Sequence, residues 1–235
     1  MSSEESGAEL AASIALAFVL VYLILTLGVL SKEPYGAPPN TIPVRGPDDI
    51  VYYVQEDLDD HEQAAAIIAE LNQRLLRLMK FIKRKYGAAI EGGEETVWGK
   101  RCPERVRQAR EFLLRFNPDA IYETNPDNPN EDSSFVISKG KLMALCIRKR
   151  NDPTRFEDMN MLTFVLIHEA SHILAPVAQH EPSFWRTMKF VLEEAVEAGI
   201  YKPIDYRKTP HVYCGKPVRW SPLYDDGVPA VCEKS

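Results

Sequence analysis

Residues 168–172 read His168-Glu169-Ala170-Ser171-His172: two histidines four apart, with a glutamate directly after the first. On an α-helix, residues four apart share one face, so both imidazoles can reach a single point. Neutral imidazole is a good zinc ligand. The carboxylate between the two histidines stands beside that face, where it can take a proton from a water polarised by the metal without being a ligand itself. At average residue frequencies, such a pentapeptide arises in a random chain of this length on the order of one time in a hundred. The residues around it (Met161, Leu162, Phe164, Val165, Leu166 and Ile167) are apolar on nearly every side. Burying two histidines and a glutamate there without a metal would desolvate three polar groups for no return.

A catalytic zinc site uses three protein ligands and keeps one position open. His180 follows His172 after the seven residues ILAPVAQ, and Pro176 interrupts the helix, so the chain can fold back toward the metal. The spacing is not that of metzincins, whose required glycine is missing. Carboxylates of the next helix, Glu193, Glu194 or Glu197, are the rival third ligand. His61 and His211 stand alone and read as surface residues. Tyr213 and His211 are candidates to donate to a developing oxyanion, although Tyr213 reads first as ordinary core packing.

The motif must sit on a helix, and the pattern predicts one from Met159 to Ala175, capped by Asp158 and ended by Pro176. Its all-round apolar character predicts burial at the domain centre. Ile50–Gln55 reads as a strand. Ala64, Ile67, Ile68, Leu71, Leu75, Leu78 and Ile82 predict an amphipathic helix over 60–86, closed by Gly87. Lys80, Lys83, Arg84 and Lys85 then read as a solvated helix end. A further helix is expected over Pro103–Phe116, and a strand starts at Ile121-Tyr122. SFVIS-KGK-LMALCI reads as a hairpin, and Glu181–Ala198 as a helix closed by Gly199. The tail from Tyr201, with five prolines, is expected to wrap the surface with little regular structure.

Leu10 to Ser31 carries no charge, and a helix of that length spans about 30 Å of hydrocarbon. Glu4, Glu5 and Glu9 precede it, which is unlike a signal peptide. A transmembrane anchor is expected over 1–31, a Pro/Gly-rich linker over 32–49 and a metallopeptidase domain over 50–235. Lys32 and Arg45 follow the span and no cation precedes it. A single-pass topology with the domain on the cytoplasmic side is therefore expected. The four scattered cysteines read as free thiols of a reducing compartment, with a Cys214–Cys232 bridge as the alternative. A net charge of −6 argues against nucleic acid as the main partner.

HEASHILAPVAQHEPSFW resembles the WLM and SprT-like metallopeptidase group. There, H-E-x-x-H is followed by a short loop, a third histidine and a Phe or Trp on the next helix, and Phe184 and Trp185 match that position. The chain also looks like metallopeptidases encoded by large DNA viruses of algae and protists. That likeness rests on VRG at 44–46, SFVISKGKLMALCIR, MLTFVLIHEASHI, EEAVEAGIYKPIDY, YCG at 213–215 and SPLYDD at 221–226. The resemblance implies an α+β, zincin-like mixed domain, with a central active-site helix and a small β-sheet, preceded here by the one transmembrane helix. It implies Zn2+ on His168, His172 and His180, a protein or peptide substrate, and a virion or host-membrane setting with virion components as partners. DNA-repair members of the group carry nucleic-acid-binding segments that this chain lacks after the motif, so no crosslink-repair role is expected. The competing class is a membrane-anchored scaffold, such as a minor capsid component, that keeps the fold. A purely structural metal site would have no use for Glu169.

Overall fold

The structure, a computed structural model, describes residues 37–117, 120–125, 134–137, 142–175 and 179–232. The chain from Pro39 onward forms one compact unit. A five-stranded sheet is built from β1 (Thr41–Arg45), β2 (Val51–Gln55), β3 (Ile121–Glu123), β4 (Ser134–Ile137) and β5 (Leu142–Leu145), in the order β1-β2-β3-β5-β4. β2 buries Tyr52 and Val54, two residues apart, as a strand with one face on a core must. The β2–β3 and β3–β5 pairs are parallel; β1–β2 and β4–β5 are antiparallel hairpin partners, with Phe135 opposite Ala144. Parallel neighbours need a long crossover. Three helices supply it between β2 and β3: α1 (His61–Gly92), α2 (Val97–Arg101) and α3 (Pro103–Arg115).

The motif helix, α4 (Met159–Leu174), is packed on by α1, α3, the following helix α5 (Pro182–Glu197) and edge strand β4. Neighbours on several sides account for its unbroken apolar character. Asp158 caps it as expected, its carboxylate accepting from the backbone N–H of Asn160 at 2.9 Å and Met161 at 3.1 Å. Two short antiparallel ribbons complete the described residues: β6 (Arg148–Lys149) with β7 (Asp152–Phe156), and β8 (His211–Tyr213) with β9 (Lys216–Val218).

Several expectations are corrected. α1 runs five residues past Gly87 and ends at Gly93, which has φ +63°. Tyr86 and Ala89 continue its buried seam at three-residue spacing, and this packing outweighs the roughly 1 kcal/mol that an interior glycine costs. Lys80, Lys83 and Arg84 therefore stand inside α1. With Arg74 and Arg77 they line a surface cavity at the C-terminal end of α5. Thr41–Arg45, inside the stretch that reads as a linker, pairs along its length with β2. The tail forms the β8–β9 ribbon.

The membrane expectation is corrected as well. No helix among the described residues is long and apolar enough to cross a membrane. The run 10–31 lies outside the described residues, so nothing in the structure supplies the preceding transmembrane helix or the single-pass, cytoplasmic-side topology inferred from it. The free-thiol reading also fails. Cys102 bridges Cys232 across 130 residues, and Cys146 bridges Cys214 across 68, with Cα separations of 5.9 and 6.1 Å. Cys232 pairs at the start of α3 and not with Cys214, because the tail returns across the body. Both bridges fasten that tail. Changing Cys146 and Cys214 together to serine should lower stability by about 2–5 kcal/mol. The measurement is a urea unfolding midpoint without reductant; an unchanged midpoint would show that the bridge contributes nothing.

Candidate metal centre

His168 and His172 stand one turn apart on α4. His180 lies on the segment between α4 and α5, where the chain has turned back over the same face. The three Nε2 atoms are 3.3 Å (His168–His172), 3.1 Å (His172–His180) and 2.9 Å (His168–His180) apart. They form the one cluster of three metal-ligating side chains among the described residues. Ligand nitrogens about 2.0–2.1 Å from a tetrahedral zinc stand about 3.3 Å from one another. The donor set therefore fits zinc: three imidazoles converging through the same ring nitrogen, with room for a fourth ligand. Burial, and then the two neighbouring rings, push His168 down to about 3, so its ring is neutral and keeps a lone pair for a metal. Burial lowers His180 too.

The imidazoles rest on aromatic rings from α5. Phe184, fully buried, stacks on His172 at 4.2 Å and meets His168 and His180 edge-on at 5.0 and 4.8 Å. Trp185 stacks on His180 at 5.1 Å with an interplanar angle of 17°. It also meets Phe184 edge-on at 4.9 Å and Trp220 edge-on at 4.6 Å, and the Trp220 indole N–H donates to Asp225 at 2.6 Å. This bond, followed by the Gly227 backbone N–H, holds the Asp225 carboxyl below its usual range. These contacts give a physical reason for the Phe-Trp pair of the resemblance. Groups that orient metal ligands typically matter 10–100-fold in affinity. Trp185→Leu should weaken zinc binding by about that factor, measured by chelator competition, with an unchanged circular dichroism spectrum. Wild-type affinity in that variant would rule out a holding role for the indole.

The rival carboxylates are engaged elsewhere. Glu194, fully buried, accepts from Arg105 at 2.9 Å, Lys85 at 2.8 Å and Tyr86 at 2.7 Å. Glu193 pairs with Arg105, and Glu197 with Lys85 at 2.6 Å. Burial and the adjacent Glu194 push the Tyr86 phenol well above its ordinary range. Glu194→Ala would remove the buried carboxylate shared by Arg105, Lys85 and Tyr86 and should cost about 3–5 kcal/mol. Metal titration would still be expected to give one zinc per folded chain; a lost equivalent would restore Glu194 as a ligand.

Glu169 is 4% exposed and lines a cavity of about 810 Å³ together with the three histidines. The walls come from β4 (Ser134, Phe135, Val136), α4 (Phe164, Val165), α5 (Trp185, Met188) and the tail (Tyr213 and Lys216 to Trp220). Of the two oxyanion candidates, Tyr213 lines the cavity and His211 does not. The Tyr213 hydroxyl is 2.7 Å from the Ser134 Oγ, and burial, followed by the fields of Glu169 and Glu157, pushes its pKa well up. His211 instead lies 3.8 Å from the buried Glu157. His61, at the start of α1, is 3.2 Å from the Glu56 carbonyl and outside the cluster. Sequence reasoning missed Trp220 and the Lys216–Arg219 wall, because nothing local marks a proline-rich tail as part of a cleft.

No family model matches the chain, and no solved structure matches it. It is 27% identical over 203 residues to an uncharacterized protein of Acanthamoeba polyphaga mimivirus, a match covering 86% of this chain and 92% of the relative. It is 36% identical over 69 residues to an uncharacterized protein of Invertebrate iridescent virus 6, covering 29% of this chain and 38% of that one. A protein of Invertebrate iridescent virus 3, also uncharacterized, is 32% identical over 73 residues, covering 31% and 45%. The chain is thus similar over most of its length to one viral protein, and over about a third of it to two others.

Proposed function

We propose that this protein is a zinc-dependent endopeptidase of the WLM/SprT-like kind, with His168, His172 and His180 as metal ligands and Glu169 as general base. The observation that carries the proposal is the convergence of three imidazole nitrogens within 3.3 Å of one another, in the same cavity as a buried glutamate. Zinc, when bound, is a Lewis acid that polarises water and the scissile carbonyl. Glu169 takes the proton from the attacking water and returns it to the departing amine nitrogen. β4 is an edge strand, paired among the described residues only with β5, and it lines the cavity. An extended peptide can add to such an edge through main-chain hydrogen bonds, which bring affinity with little dependence on sequence. Tyr213, kept protonated, has a hydroxyl at the cavity wall that can donate to negative charge developing on the carbonyl oxygen.

The test is metal analysis of the full chain together with hydrolysis of a denatured protein and a peptide library. One zinc per chain and cleavage are expected. Full zinc with no hydrolysis of any substrate would overturn the enzyme reading and favour a scaffold that keeps the fold.

A further inference from the structure

We infer, resting on the peptidase reading, that the cleft selects peptides presenting a carboxylate next to a large apolar side chain. Two features of the cavity lead there. Its interior is aromatic and aliphatic where Trp185, Met188, Val218 and Trp220 face it, so it favours a bulky apolar residue. Its charged lining is unbalanced. Lys216 and Arg219, both exposed, stand on the tail wall. Glu169 is the single carboxylate among the described lining residues, and it belongs to the histidine cluster.

The whole chain carries more carboxylates than cations, 34 Asp and Glu against 28 Lys and Arg, whereas the described lining carries two cations and one carboxylate. Arg219 makes no ion pair with any described residue, so no partner among these residues accounts for it. The wall that bears these cations is also held in place. Cys214, in the two-residue β8–β9 turn, is bridged to Cys146 beyond β5, and Trp220 leans on Trp185. The backbone that carries the cations is therefore anchored beside the histidine cluster, as selection at one substrate position requires. The group recognised is a carboxylate. An acidic side chain and a chain-terminal carboxyl both supply one, and the experiment separates them.

Zinc-loaded full-length Glu169→Gln protein binds substrate without turning it over, and the fluorescence of Trp185 and Trp220 reports occupancy of the cleft. Three otherwise identical peptides serve as probes: Phe-Glu with an amidated end, Phe-Gln with an amidated end, and one ending in Phe with a free carboxyl. At low ionic strength, the Phe-Glu peptide, the free-acid peptide or both should bind about tenfold tighter than Phe-Gln, and the preference should shrink with added salt. Whichever binds tighter identifies the source of the carboxylate. Arg219→Glu should remove or reverse the preference while the affinity for Phe-Gln stays within about twofold. Equal affinities for all three in both proteins would overturn the inference, and cleavage of Phe-Gln by wild type would then leave the peptidase reading standing. No binding of any probe, together with no hydrolysis by wild type, would overturn both.

Discussion

Glu169→Gln is expected to cut hydrolysis of a denatured protein by a factor of about 10² to 10⁴ while zinc content stays at one per chain. Glutamine nearly matches glutamate in shape, so a site only 4% exposed should accept it without repacking. It cannot take the proton that must leave the attacking water. None of the three clustered imidazoles is altered, so metal affinity should be close to wild type. The paired readout separates general-base chemistry from structural damage. A variant that loses activity and zinc together would show that Glu169 holds the site in place, and one that keeps full activity would assign the base elsewhere.

His180→Ala should have the largest effect on the metal. His180 is the exposed member of the three and the one that α4 does not place. Its Nε2 lies 2.9 and 3.1 Å from those of His168 and His172, completing a triangle that two helical histidines cannot form alone. Removing a ligand should weaken zinc more than the roughly 10–100-fold expected for a supporting group such as Trp185. Chelator competition measures both variants on one scale. If His180→Ala retained zinc and a carboxylate variant at Glu193 or Glu197 lost it, the third ligand would lie on α5 after all. The pairing of both carboxylates with Arg105 and Lys85 argues against that outcome.

Much of the site is written locally. The helical repeat of 3.6 residues puts His168 and His172 on one face, Asp158 starts that helix with its own side chain, and two apolar runs flanking Lys139-Gly140-Lys141 mark the β4–β5 hairpin. Each of these depends on residues a few positions apart, so a reading of neighbours finds them. The end of α1 was missed because Gly87 is a local stop signal, whereas the buried Tyr86 and Ala89, packed by distant parts of the chain, decide the matter. β1 was hidden for a similar reason: the prolines around it suggest a spacer, and only pairing with β2 makes Thr41–Arg45 a strand.

By itself, the sequence determined the helix that carries His168, Glu169 and His172 and singled out His180 as the histidine able to fold back on them, since spacing along a helix and a short return decide which side chains can meet. Only the tertiary structure decided the cysteine pairing, the aromatic support beneath the imidazoles and the tail wall of the cleft. Partners 68 and 130 residues apart are chosen by how sheet, helices and tail pack. Cys146 and Cys214 meet because β5 and the tail ribbon come together. Trp220 reaches Trp185 because the same tail crosses α5. Contacts of that kind carry no periodic signature, because hydrophobic burial and close packing are properties of the assembled core and not of any one segment.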